Sequence, residues 1–223
     1  MTGLNVEGVV RQFAAVGSAA TLDALGNQGW LEGLHPLWPV DAFAGPVVTV
    51  GGDPGDNLPL HRGIAEAPSG TIIVAAMGGE TAAAVFGDVL ARIARHRMLR
   101  GVVVDGAVRD VDAIRKLQLP VLCRGRSLRS PTKRCWGVVG APVVVGSVTV
   151  STGDWLVADG DGAVVVPSNR LEEALAKAEA VTEREADVVR RAIRGESTVD
   201  QLGLTYLGAA SRADGPHGDG HGR

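Results

Sequence analysis

Arg109 and Asp110 have the strongest claim to chemistry in this chain. They follow Gly101-Val-Val-Val-Asp105-Gly106-Ala-Val, a pattern that predicts a buried strand ending in Asp-Gly, a turn, and the mouth of a helix. Open α/β sheets place their ligand chemistry there. An aspartate is a hard-oxygen ligand for a divalent cation, and the planar fork of an arginine holds a carboxylate by two hydrogen bonds. Spacing by itself equally allows Asp110 to cap the helix and Arg109 to be solvated.

Other residues stand in comparable places. Gly87-Asp88 lies inside the helical run Thr81–Leu90, where glycine costs about 1 kcal/mol relative to alanine. Gly87 is therefore a tolerated surface glycine, a place of close approach, or a helix start whose free amides at Val89 and Leu90 would suit an anion. In Gly55-Asp56-Asn57-Leu58-Pro59-Leu60-His61, Asn57 reads as a helix cap with Pro59 in the first turn. His61, four residues on, either faces the same pocket or is a hydrogen-bonded structural histidine. His217 and His221 have metal-like spacing only in a helix, which Gly218, Gly220 and Gly222 oppose. Phosphate-loop, dinucleotide, H-E-x-x-H and G-x-S-x-G signatures are absent from the sequence, so nucleotide-driven and serine-hydrolase chemistry lose their support.

Strands and helices must position these residues. Apolar, β-branched runs predict strands at Pro46–Val50, Thr71–Ala76, Gly101–Asp105, Leu119–Leu122, Val143–Val150, Trp155–Ala158 and Ala163–Val166, mostly buried on both faces because they do not alternate with polar residues. Gly146-Ser147 is a two-residue hairpin signal, so the C-terminal half contains antiparallel strands. Helical spacing predicts helices at about Ser18–Leu25, Leu58–Ala67, Thr81–Met98, Val111–Leu117 and Asn169–Arg194. The succession gives an α/β domain with mixed strand directions over 1–208, followed by an unstructured, Gly-rich tail from Ala209.

Composition bounds the rest. With 22 Lys+Arg against 25 Asp+Glu and 4% aromatic residues, the chain lacks the charge and stacking rings of a nucleic-acid platform. No apolar stretch approaches the ~20 residues of a membrane span. The N-terminus shows no basic segment followed by an apolar core and cleavage site, so the expected location is cytoplasmic. Cys123 and Cys135 are too few for a disulfide framework or zinc cluster, and read as reduced and structural.

Asp88, twenty residues and Arg109-Asp110 form a D-x20-R-D pattern that resembles the RraA-like, class II 4-hydroxy-4-methyl-2-oxoglutarate aldolase family. The flanks agree from about Ser18 to Leu204: AGPVVTV, GDNLPLHRGIAEAPSGTIIV, FGDVLA, RGVVVDGAVRD, PTKR, GSVTVSTGDWLVADGDGAVVVP and GESTVDQLGL. The resemblance implies a swivelling β/β/α fold with a mixed sheet, assembled as a homotrimer or homohexamer with active sites between subunits. It implies that Asp110 binds Mg²⁺ or Mn²⁺ and that Asp88 holds waters of the ion. Arg109 grips the keto-acid end of the substrate, and the Val89 and Leu90 amides, beside Gly87, take its carboxylate. Asn57 and His61 line the pocket, and Glu185, or else Glu183, reaches in from the neighbouring subunit. The implied reaction is retro-aldol cleavage of a 4-hydroxy-2-oxo acid to pyruvate, with oxaloacetate decarboxylation through the same enolate. A non-catalytic regulator that binds a ribonuclease or other protein is the alternative. Among the three lysines, Lys116, Lys133 and Lys177, Lys133 is the one candidate for Schiff-base chemistry, which the metal-dependent reading disfavours. Cys135-Trp136 and the basic stretch around Ser127–Ser130 depart from the family pattern. They form either a loop under a neighbouring subunit or a reshaped distal pocket for an acidic substrate.

Overall fold

The computed structural model describes residues 5–204. The expected tail from Ala209, with His217 and His221, lies outside them. Contacts divide the chain into two compact units, Met1–Glu179 and Ala180–Arg223.

The strands are β1 (His35–Pro36), β2 (Phe43–Gly51), β3 (Ile72–Ala76), β4 (Ala84–Phe86), β5 (Gly101–Val108), β6 (Val121–Arg126), β7 (Val138–Val139), β8 (Val143–Val145), β9 (Val148–Val150), β10 (Trp155–Ala158) and β11 (Ala163–Val166). The helices are α1 (Val6–Ala24), α2 (Leu58–Glu66), α3 (Asp88–His96), α4 (Val111–Lys116), α5 (Leu171–Ile193) and α6 (Thr198–Gln201). Among the described residues nine strands form one mixed sheet in the order β1-β6-β5-β3-β2-β10-β11, with β4 on β5 and β7 on β2; β8 and β9 form a separate hairpin. β2, β3, β5 and β6 run parallel, as does β4 with β5, whereas β10 is antiparallel to β2 and β11.

The central strands are apolar throughout because both their faces are covered. Ile73, Ala75, Val102 and Val104 meet Leu60 and Ile64 of α2, Leu90, Ala91 and Ala94 of α3, and Ile114 of α4. Their sequence neighbours Ile72, Val74 and Val103 point the other way, into a cluster with Leu31, Leu34, Leu156 and the hairpin valines Val143, Val145 and Val150. A third cluster seats Phe13 of α1 and Leu171 and Ala174 of α5 on Trp155, Val157, Val164 and Val166. Each such aliphatic or aromatic burial contributes about 1.5–3 kcal/mol.

Three expectations are corrected. The helix expected over 81–98 begins only at Asp88, because Ala84–Phe86 finds a partner in β5 and strand pairing overrides helix propensity. β5 does not end at Asp105-Gly106 but runs to Val108. Asp105 stays inside the strand because the guanidinium of Arg124 on β6 neutralises it, at a shift of register between the two strands. α1 starts at Val6 rather than Ser18, with a break at Gly17 (φ 80°). There Asp159 accepts hydrogen bonds from the amide and hydroxyl of Ser18, both at 2.7 Å, and so caps the second half of the helix. Cys123 and Cys135 are free thiols, as expected. Among the described residues no helix is long and apolar enough to cross a membrane.

α2 approaches the sheet at Gly63, where an added Cβ would lie 2.2 Å from Cγ2 of Val50. Alanine in place of a helical glycine ordinarily gains about 1 kcal/mol, but overpacking against a stiff β-branched side chain costs about 1–3 kcal/mol. Gly63→Ala is therefore expected to lower stability by about 1–2 kcal/mol. A urea midpoint that stays put or rises would show that the α2–β2 contact is looser than described.

Candidate active site

Two parallel strands that each run into a helix bring the D-x20-R-D residues together. β4 ends at Phe86 and gives way to α3; β5 ends at Val108 and gives way, through Arg109 and Asp110, to α4. The Arg109 amide donates to the Phe86 carbonyl at 3.0 Å, which ties the two strand ends at the point where both helices begin.

Asp110 holds the N-cap position of α4 yet does not cap it. Its backbone is left-handed (φ 62°, ψ 38°), and its Oδ2 accepts the Asp88 amide of the adjacent helix at 3.2 Å. A non-glycine residue in that conformation costs about 1–2 kcal/mol, and a forgone cap about 1 kcal/mol. The capping reading of Asp110 is thereby removed: the carboxylate is spent on the neighbouring helix start. Gly87 makes the approach possible. Its φ of −158° suits any residue, but an added Cβ would lie 2.7 Å from Asp110 Oδ2 and 3.3 Å from Arg109 Cγ.

Arg109 is not simply solvated. Its Nε stands 3.5 Å from Asp110 Oδ2, and its Nη1 donates to the Ser130 hydroxyl at 3.0 Å. Both ion-pair side chains are more than a third exposed, at 36% and 38%, so the pair adds little to stability. Asp88, the first residue of α3, accepts from Arg92 Nε at 3.3 Å, one turn on. The amides of Val89 and Leu90 have no hydrogen-bond partner among the described residues. The Leu90 side chain is core and the Val89 side chain is exposed, so an anion would meet only their backbone.

Asn57 and His61 form a second group. Asn57 is buried at the start of α2 but does not cap it, and its Oδ1 has no partner among the described residues. Asp56 does the capping instead: Oδ1 accepts the Leu58 amide at 3.0 Å, while Oδ2 takes the Thr132 hydroxyl at 2.7 Å and the amides of Arg134 and Cys135. Burial would raise the Asp56 carboxyl, but these donors together hold it below the usual aspartate value. His61 is pushed down, by burial first and then by the charge of Lys133. Among the described residues no hydrogen bond or ion pair joins Asn57 or His61 to Arg109 or Asp110. The link is the loop: Ser130 bonds Arg109 and Thr132, two residues on, bonds Asp56.

Motif spacing assigns no role to Ser130 or Asp56. Asp56 had a signal, since an aspartate two residues before a helix amide is a standard capping arrangement; Ser130 had none. In the departing loop, the exposed Trp136 lies under the Arg62 guanidinium, 5.3 Å from ring centre to Cζ, and its carbonyl accepts from Arg62 at 3.1 Å. Glu183 and Glu185 are exposed on α5 in the second unit.

Among the described residues no three His, Cys, Asp or Glu side chains converge as a metal cage. The donor set is two carboxylates, Asp110 and Asp88, each about a third exposed and without imidazole or thiolate. That set fits a hard cation that keeps most of its water and takes the remaining ligands from a substrate, the habit of Mg²⁺.

Residues 18–165 match the model of the RraA-like family, described as Aldolase/RraA. A relative from Halalkalibacterium halodurans, named "Putative 4-hydroxy-4-methyl-2-oxoglutarate aldolase", is 34% identical over 170 residues, 76% of this chain and 81% of its own. An uncharacterized protein from Pseudomonas syringae pv. tomato has a similar crystal structure, with a TM-score of 0.81 at 30% identity over 92% of this chain and 97% of its own. The RNA-processing inhibitor RraA from Thermus thermophilis aligns with a TM-score of 0.62 at 28% identity, over 67% of this chain and 92% of its own.

Because Asp56 titrates below its unfolded value of 3.8, its contribution to stability is complete above that pH and is lost as the pH falls through the folded value. Asp56→Ala also removes the acceptor of four part-buried hydrogen bonds, each contributing about 0.5–1.5 kcal/mol. Chemical denaturation at neutral pH is expected to show a loss of about 2–3 kcal/mol, and a variant as stable as the parent would mean that the loop is held by other contacts.

Proposed function

Since the chain belongs to the RraA-like aldolase family, we propose that it is a divalent-metal-dependent lyase that cleaves a 4-hydroxy-2-oxo acid of the 4-hydroxy-4-methyl-2-oxoglutarate type to pyruvate. The observation that carries this reading is the Asp110 carboxylate, held in a costly backbone conformation beside a half-buried Arg109 and a helix N-terminus with free amides. The contacts that hold the set together are too open to solvent to add much to folding, and their arrangement suits a keto acid.

The reaction breaks the C3–C4 bond, turns the C4 hydroxyl into a carbonyl, and leaves the electron pair on the pyruvyl fragment as an enolate, which is then protonated at C3. Asp110, with Asp88, would hold Mg²⁺ or Mn²⁺, which supplies Lewis-acid stabilisation of that enolate. The Val89 and Leu90 amides, at the positive end of α3, bind the substrate carboxylate. Arg109 places a fixed positive charge against the oxygen on which negative charge develops, and Ser130 keeps one arm of its fork from collapsing onto Asp110. Asn57, whose buried Oδ1 lacks a donor, and His61 line the far side. The C4 hydroxyl proton leaves to a carboxylate, for which Glu185, or Glu183, of a neighbouring subunit is proposed; the assembly is then a homotrimer or homohexamer. Oxaloacetate is a second substrate, because loss of carbon dioxide leaves the same enolate.

Likeness to the RNA-processing inhibitor supports a second reading, a non-catalytic regulator that binds a ribonuclease or other protein. Pyruvate release separates the two. The purified protein is expected to release pyruvate from 4-hydroxy-4-methyl-2-oxoglutarate, to lose that activity to a chelator and to regain it with Mg²⁺ or Mn²⁺. Persistence after exhaustive metal removal, or borohydride trapping of pyruvate on Lys133, would instead indicate a Schiff-base enzyme.

Arg109→Ala and Asp110→Asn should each lower kcat/KM by about 10²–10³. Gly87→Ala should do the same by displacing the Asp110 carboxylate, while thermal unfolding changes little. Full turnover in the Gly87 variant would contradict the close approach on which the site rests.

A further inference from the structure

A cleft of about 560 Å³ opens at the opposite end of α3 from the candidate active site. Arg11 of α1, Arg95 in the last turn of α3, and Arg100, just before β5, all line it, and Glu7 is its acidic residue. Arg100 is committed: its Nε donates to the Gly70 carbonyl at 2.9 Å and its guanidinium is ion-paired with Glu7. The guanidinium groups of Arg11 and Arg95 have neither a hydrogen bond nor an ion pair among the described residues. Two uncompensated guanidinium groups therefore face one cavity beside the apolar surface of Phe43 and Met98. Like charges gathered along one cleft raise a positive potential that favours an anion. Each guanidinium offers a rigid fork of donors suited to the oxygens of a phosphoryl group. Glu7 and Arg11 precede the 18–165 span that matches the family model, so this wall of the cleft belongs to the part of the chain outside that match.

We infer that this cleft binds an organic anion bearing a phosphoryl or diphosphoryl group, with Arg11 and Arg95 on the charged end and Phe43 and Met98 against the apolar remainder. The volume is in the range of small-molecule sites, about 300–1,000 Å³. The inference does not rest on the lyase reading.

Calorimetric titration of the full chain with inorganic pyrophosphate, in metal-free buffer, tests it. Saturable binding is expected, weakened about tenfold or more by Arg11→Gln and by Arg95→Gln. Both side chains are exposed, so circular dichroism of the variants should match the parent. Arg109→Ala, at the other end of α3, should leave the affinity unchanged, which separates this site from the proposed catalytic one. The inference is overturned by absence of saturable binding, by affinity indifferent to Arg11 and Arg95, or by loss of binding in Arg109→Ala. Binding of citrate in preference to pyrophosphate overturns the phosphoryl assignment, and self-association lost in the Arg11 and Arg95 variants shows the cleft to be a contact between copies instead.

Discussion

The carboxylate of Asp110, turned back across Gly87 onto the amide of Asp88, is the contact on which the candidate site depends. It brings an anion to the N-terminus of α3, where the helix dipole favours it. The same contact leaves α4 without a side-chain cap and its N-cap residue left-handed, so local stability is surrendered at that corner. Strained backbone of this kind persists only where the surroundings over-determine it. Here β4 and β5 supply that constraint, because the Arg109 amide is bonded to the Phe86 carbonyl immediately upstream.

Two ion pairs, one within β5 and one just past its end, show how burial sorts charges into different tasks. Asp105 is 4% exposed and bonded to Arg124, so removing either partner would leave a charge stranded inside the sheet. Four residues later Arg109 and Asp110 meet in solvent, where the pair adds little to folding and its members are free to engage another molecule. The buried pair secures the strand at its irregular register with β6, and the exposed pair sits on the end thus secured.

The loop from Ser127 to Arg134 extends that support to the second group of residues. Asp56 is buried and accepts from donors on both the helix it caps and the loop, which makes it the rivet between α2 and the segment carrying Ser130. Asn57 beside it is left with a buried carbonyl oxygen that no described residue satisfies. A buried polar atom without a partner is costly, and its position next to His61 is consistent with a ligand supplying the donor.

Much of this was legible in the chain. Unbroken apolar runs such as Ile72–Ala76 and Ala163–Val166 announce strands covered on both faces, and the pattern of Asp88 with Arg109-Asp110, inside its flanks, carries the family, because these features depend on residue type and local spacing. Tertiary structure alone decided that Ala84–Phe86 is a strand, that Asp105 stays inside β5, that Asp110 points away from its own helix, and that Ser130 reaches Arg109. Each of those outcomes depends on a partner distant in sequence: β5 for β4, Arg124 for Asp105, the Asp88 amide for Asp110. Local spacing carries no record of which distant group will satisfy a charge or a backbone amide, and only the folded sheet brings those groups within hydrogen-bonding distance.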